Sequence, residues 1–571
     1  MTAHPSTSTS ADLQGQPTST AARPGLDRRR FLAGAALLGA SALALPLTGC
    51  GNDASESAST SSASSSTDGE ASSTPAASSA SDAASASNTT ELVTVGRPAD
   101  SDNLDPVTCV GNTNIFIFNL IVEGLVKTSD DGMSIEPCLA TDWDISDDGL
   151  TYTFHLLDNL KFSDGSAVTA QDWEWTFQRA IETEESNWHS AVENIDTVEC
   201  PDDTTVVVTT KQAAASTLAC LCIFELGVQS KAYYDKVGAE QYKSGIIGTG
   251  PFMLKEWKKG EYLSLEANPY YREEGLPLAN QVDFKVVADD NARTIQLQGG
   301  DIDAATEMPF STLKQLESDA SCQPHADAST ITRFLALNTE NEFLSDQKVR
   351  QALTKATDPQ EIVDMVLYGY GQTIGSIFSP TSEYCDATLK PNTPDVEGAK
   401  KLLEEAGHKD GFELKILIHG GNQQEQQVAT ILQSQWSKIG VSLVQDEAEA
   451  TSYKERMYSM DFDLLIDMWS DDIHDPTPFM QFVFDFDSAS GFDTNFRQPD
   501  DVAKLNEQAD VESDVEKRKE LYAQMQQAFA EQAIWIPLYS SPFQNAVREE
   551  VSGFVQTPLG NYRFERLTKT A

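Results

Sequence analysis

The residue pattern predicts an α/β protein, and three observations carry that expectation. Segments of period two, such as "TYTFHLL" (151–157) and "TTVVVTT" (204–210), alternate with segments of helical period, such as "DQKVRQALTKAT" and "DVEGAKKLLEEAG". Between 412 and 446 a strand "FELKILI", a helical run over 422–440 and a second strand "VSLVQD" form one crossover unit, whose length suits a parallel pair of strands. Hydrophobic content of 40% supplies sizeable cores. At ~150 residues per domain, residues 91–571 suggest about three domains.

Taken in order, "ELVTVG" (91–96) opens with strand alternation, and "NIFIFNLIVEGL" (114–125) has the continuous apolar face of a buried helix. Thr169 and Asp172 stand at capping-box spacing, so a helix begins with "TAQDWEWTFQRAI". The segment 248–271 reads as two strands joined by a Lys-Lys-Gly turn, a hairpin. From "ITRFLALN" (331–338) the pattern becomes βαβ-like, with Gly407 stopping one helix. "DFDLLIDMW" is a further strand, and "AIWIPLY" and "FQNAVR" read as strands returning to an earlier sheet.

The first ninety residues do not read as fold. "DRRRFL" (27–32) resembles a twin-arginine export signal through Arg28 and Arg29, and a short apolar run from Phe31 to Leu47 ends in "LTGC", which resembles a lipobox. Cys50 is then the lipid-modified first residue, and the Ser/Ala tract that follows buries nothing and serves as a tether. The expected location is the extracytoplasmic face of the membrane, held by lipid alone.

A net charge of −48 repels nucleic acid and anionic membrane, so a neutral or cationic partner is expected. With Cys50 spent on lipid an odd number of cysteines remains, without metal-type spacing, and Cys220 and Cys222 read as small buried hydrophobes. No G-x-S-x-G, H-E-x-x-H or P-loop is present, so the chain does not read as an enzyme, and no cofactor is expected.

One stretch concentrates chemistry. "DMWSDDIHDP" (467–476) follows the apolar "LLI" of a strand and lies past its carboxyl end, where open α/β sheets hold ligands. Its residue types allow three readings: a metal site built on Asp471, Asp472, His474 and Asp475; catalytic carboxylates, to which Asp461 and Asp463 on one strand face would add; or an anchor for a cationic ligand. Metal is disfavoured because successive strand residues point to opposite faces, and alternating carboxylates on an edge strand are usually a solvated face.

Six phrases in order, among them "VEGLVK" (122–127), "GTGPFMLKEWKKGEYLSLEANPYY" (248–271), "FLALNTENEFLSDQKVRQALTKATD" (334–358) and "WIPLY" (535–539), resemble the extracytoplasmic solute-binding proteins of peptide ABC importers, the oligopeptide- and dipeptide-binding family. The resemblance implies a two-lobed periplasmic-binding-protein-like fold of type II, in the large peptide-binding subclass, with an extra third domain. It places lobe I at 91–135, 246–325 and 535–571, the extra domain at 136–245 inserted in lobe I, and lobe II at 326–534. A monomer that captures di- or oligopeptides and docks on a permease with its ATPases is implied, with nickel-chelate or oligosaccharide binding as the alternative, and an enzyme exported with its cofactor as a remote one.

Trp469, Asp472, Asp475 and Pro476 match the family's cleft pattern, which implies that Asp472 takes the ligand's α-ammonium. The backbone of Met468, Trp469 and Ser470 then pairs with an extended ligand. Glu123 matches a position facing the same ligand end. His419 stands where the dipeptide branch has an arginine, and Ile466 where longer-peptide relatives have another; Ala450 replaces an aromatic. These departures leave the ligand's carboxylate without an assigned partner, with His419 as the expected substitute. No metal is expected.

Overall fold

The computed structural model describes residues 90–183, 186, 188–484 and 500–570. Arg28, Arg29 and Cys50 lie outside the described residues. Three main sheets organise the body. The first runs Cys322–Asp327, Phe543–Arg548, Ala304–Ala305, Val93–Arg97, Gln281–Val286, Tyr262–Ala267, Phe252–Lys258. The second runs Gln372–Thr373, Trp535–Ser540, Thr332–Leu337, Leu464–Trp469, Phe412–His419, Val441–Ala448. A four-stranded antiparallel sheet, Ala140–Ile145, Thr151–Leu156, Thr205–Thr210, Ile195–Asp202, lies between the first two strands of the first sheet in sequence.

Burial follows the patterns in the chain. Thr151–Leu156 and Thr205–Thr210 alternate half-buried and buried residues, as strands with one covered face do. Leu464, Leu465 and Ile466 are all buried, because helices cover both faces of the second sheet. On one face, Leu335, Ile416 and Leu464 pack with helices Gln347–Ala356 and Gln423–Ser437; on the other, Phe334, Leu417 and Leu465 pack with Ala450–Tyr458 and Val515–Gln532. The crossover unit is parallel as expected, Phe412 to His419 registering with Val441 to Ala448 around helix Gln423–Ser437. The capping box at Thr169 and Asp172 forms.

Two expectations are corrected. The apolar run 114–125 is helical only over Asn112–Phe118. Beyond it the carbonyls of Leu120 and Ile121 accept from the N–H groups of Phe252 and Gly250, both at 2.9 Å, so the chain leaves the helix to pair with "GTGPF". A Cβ at Gly248 would stand 2.1 Å from the Ile121 carbonyl oxygen. Gly248→Ala should therefore destabilise the body by about 1–3 kcal/mol, read as a lowered denaturation midpoint.

Strand Trp535–Ser540, expected in lobe I, belongs to the second sheet: Trp535 pairs with Ala336 and its ring stacks on Phe334 at 4.1 Å. The return to the first sheet comes only at Phe543, which pairs with Asp327. The chain thus crosses between the sheets twice, after Asp327 and after Ser540, and the crossings run side by side, since Thr332 also registers with Ser540.

Candidate functional site

The acidic stretch emerges from Leu464–Trp469 at the edge of the second sheet from which both crossings leave. Its side chains part company there. Trp469 Nε1 donates to Asp471 Oδ1 at 2.7 Å, and the Asp471 N–H donates to Thr330 Oγ1 at 2.8 Å, tying the stretch to a crossing. Asp475 accepts the Thr477 N–H at the start of helix Thr477–Phe484 and pairs with buried Arg518 (Nη2 to Oδ1, 2.9 Å). Burial alone would raise the Asp475 carboxyl, but the Arg518 charge and these hydrogen bonds outweigh it and hold the pKa low. His474 Nε2 lies 3.4 Å from Glu383. Among the described residues no three His, Cys, Asp or Glu converge on a metal position. Asp461 pairs with Arg456, and Asp463 accepts from Asn341 and the Lys415 N–H.

Asp472 differs from these neighbours. It is half-buried and makes no hydrogen bond or ion pair among the described residues. Burial, with no opposing charge, pushes its pKa up to about 7. Asp471 is likewise raised to about 7 by burial, with Asp472 and Asp475 adding and the Trp469 bond opposing.

Asp472 faces a cavity of ≈ 340 Å³ whose wall includes Glu123, Phe224, Tyr271, Arg272 and Arg563. The structure therefore brings Glu123 and Asp472, far apart in sequence, to one space. Glu123 is not free: Arg272 Nε donates to its Oε1 at 3.0 Å, and burial raises its pKa against the Arg272 charge. Glu123 therefore lines the cavity as half of an ion pair, whereas Asp472 lines it with no hydrogen bond or ion pair among the described residues.

His419 is not in this wall. It ends strand Phe412–His419, stacks on Tyr453 with centroids 3.6 Å apart, and its Nδ1 lies 3.1 Å from Glu425, which sits in the first turn of the next helix. Local capping chemistry uses it. Of the backbone groups expected to meet a ligand, the Met468 N–H already donates to Asp467 Oδ1 at 2.8 Å, while Trp469 and Ser470 are half-buried at the sheet edge. Sequence reasoning missed Arg272, held to Glu123 across 149 positions.

Comparison with known proteins follows from this geometry. The probable D,D-dipeptide-binding periplasmic protein DdpA of Escherichia coli is 28% identical over 479 residues, 82% of this chain and 92% of that protein. DppA from Helicobacter pylori, solved in complex with peptide STSA, is similar at TM-score 0.74 and 25% identity, covering 84% of this chain and 98% of that one. NikA from Brucella suis, solved with Fe(III)-EDTA, is similar at TM-score 0.77 and 25% identity, covering 84% and 100%. Residues 134–491 match the family described as bacterial extracellular solute-binding proteins, family 5 Middle. With its two large sheets joined by a double crossing and a cavity at the sheet edge, the chain belongs to the family 5 bacterial extracellular solute-binding proteins.

Proposed function

We propose that this chain is the capture subunit of an ABC importer, closing its two lobes over peptides with a free amino terminus and handing them to a permease and its ATPases. The observation that carries the reading is the unpaired, half-buried Asp472 carboxylate on a cavity shared with Glu123 and Arg272. An ammonium is a compact cation that gives a carboxylate a short, charge-assisted hydrogen bond, and enclosure in a water-poor cleft strengthens it. The wall also carries Lys127, Arg272, Arg563 and Arg566; a peptide offers Asp472 a cation where an anionic chelate of the Fe(III)-EDTA type offers none, so the peptide reading is preferred to the chelate one. Among the described residues no helix is long and apolar enough to cross a membrane. The reading includes export through Arg28 and Arg29 and attachment through a lipid on Cys50, with the body acting as a monomer and without turnover of its ligand.

Mass spectrometry of the ligand that co-purifies with the protein tests the function: short peptides support it, and sugars or metal chelates overturn it.

Affinity should depend on pH. In the free protein Asp472 titrates at about 7, and pairing with an ammonium lowers that value, so binding releases a proton below it. Affinity for a dipeptide should rise, by at most tenfold per unit, as pH increases toward about 7. It should level off there and fall once the ligand's α-amino group, near 8, loses its own proton. Titration calorimetry across that range reads both limbs.

A further inference from the structure

A second carboxylate on the cavity wall has no counter-ion. Tyr562 and Phe564 are buried and stack on each other at 4.8 Å, and the residues that alternate with them, Arg563 and Glu565, line the cavity. The Glu565 carbonyl accepts the Leu278 N–H at 2.9 Å, which fixes the backbone there. Its side chain is half-buried, makes no ion pair and meets only its own backbone N–H among the described residues. Burial raises its pKa against the more distant charges of Arg563 and Lys127. Those cations are already occupied: Arg563 Nε lies 3.3 Å from Asp130 and Lys127 Nζ 3.8 Å from Glu136, while Arg272 holds Glu123. Arg566, next in the chain, is exposed and makes no ion pair with Glu565.

The two unpaired acids stand apart in one space. Burial alone moves the Asp472 carboxyl, with no contribution from Glu565, whereas Glu565 acts on Glu123 and on the Tyr271 phenol. Met468, Trp469 and Ser470, whose backbone is read as pairing with the ligand, are not in this wall, so the cavity takes the ligand's amino-terminal residue and the rest of the peptide leaves it. A partly desolvated carboxylate without a counter-ion is unfavourable, and a cation carried in by the ligand relieves it with a charge-assisted hydrogen bond. Resting on the peptide reading above, we infer that Glu565 receives the side-chain cation of a peptide whose first residue is lysine or arginine, while Asp472 holds its α-ammonium. Lysine brings a compact ammonium on a flexible four-carbon stem, and arginine a planar fork that a carboxylate matches bidentately. An acidic first residue would set a like charge against Glu565.

The test compares Lys-Ala-Ala, its Nε-acetyl form, Met-Ala-Ala and Glu-Ala-Ala by titration calorimetry. Wild-type protein should bind Lys-Ala-Ala roughly tenfold or more tighter than the acetylated peptide and Met-Ala-Ala, whose first side chains are long and uncharged, and should bind Glu-Ala-Ala most weakly. Glu565→Gln should bind Lys-Ala-Ala and Met-Ala-Ala within about twofold of each other, and Glu565→Asp should fall between. A thermal melt checks that both variants are folded; if neither folds, the wild-type preference between Lys-Ala-Ala and its acetylated form decides alone. A wild type indifferent to the lysine charge, or one that prefers Glu-Ala-Ala, overturns the assignment; so does a folded Glu565→Gln protein that keeps the preference for lysine or binds neither peptide. A wild type that binds none of these peptides overturns the peptide reading as well, an outcome distinct from indifference to the first side chain.

Discussion

Asp472→Asn lowers affinity for a free-amine peptide roughly 30- to several-thousand-fold while leaving the protein as stable as before, or more so. Two opposite consequences of one burial produce this result. The carboxylate stands at the wall of the cavity without pairing with any of the cations that line it, so desolvation acts unopposed and lifts its pKa to about 7. A raised folded-state value means the native protein keeps this proton longer than the unfolded chain does. The penalty is absent below the unfolded value near 4, grows as pH rises to about 7, and is complete above it. Asparagine has nearly the same shape and no charge, so at pH 8 it removes the penalty. For the ligand the change runs the other way. Truncating one partner of a desolvated charge pair costs about 2–5 kcal/mol, most of it from leaving the other charge unpaired. At 1.4 kcal/mol per factor of ten that is roughly 30- to several-thousand-fold, the upper part applying where the cleft excludes water. The variant should also lose discrimination against N-acetylated peptides, which wild-type protein should bind weakly. Tight binding of free-amine peptides by a folded Asp472→Asn protein would remove the anchor.

What the chain disclosed beforehand was whatever has local cause. Period-two alternation located "TYTFHL" and "TVVVTT" because each strand buries one face against its own sheet. The capping box at Thr169 was legible because both partners lie within one turn. The acidic stretch 467–476 stood out because the end of a buried strand followed by charge is itself a local signal, while Asp472 within it was singled out by resemblance to the family's cleft pattern. Contacts made across the fold were not legible. Glu123 looked available for a ligand until Arg272, 149 positions away, was seen to hold it. Trp535–Ser540 joins the second sheet, where Trp535 stacks on Phe334, whereas its nearly continuous apolar run would suit either sheet. The helix expected through residue 125 ended early because the Leu120 and Ile121 carbonyls found partners in a segment about 130 residues on. His419 read as the substitute partner of the ligand's carboxylate because its contact with Glu425 depends on how the following helix is capped.

Arg518→Met should be the most destabilising single change in the second lobe, by about 3–5 kcal/mol, with its first effect on folding and not on ligand chemistry. The guanidinium is fully buried, 0% exposed, against an Asp475 side chain 2% exposed. It also donates to the Tyr384 and Tyr522 hydroxyls, to Thr477 Oγ1 and to the Ala509 carbonyl. Methionine fills comparable space but supplies none of these donors, leaving an acid in a dry site with only the Thr477 N–H and hydroxyl. That acid must either stay ionised without a counter-ion or take up a proton, and its low native pKa marks how strongly the pair favours the charged form. A pair at the surface behaves otherwise. Arg456 and Asp446 are 23% and 31% exposed, so Arg456→Gln should shift stability by no more than about 1 kcal/mol. Urea unfolding followed by tryptophan emission resolves the two variants, because Trp469 and Trp535 report on the lobe concerned. Replacing both partners, Arg518→Met with Asp475→Leu, should restore much of the loss, since the penalty lies in the stranded charge. Asp475 lies three residues from Asp472 and caps the helix that follows, so acids of the same kind are divided: Asp475 fixes the segment, and Asp472 makes no hydrogen bond or ion pair among the described residues, which is what the proposed anchor requires. An Arg518→Met protein of unchanged stability that had lost its ligand would show that this division is drawn in the wrong place.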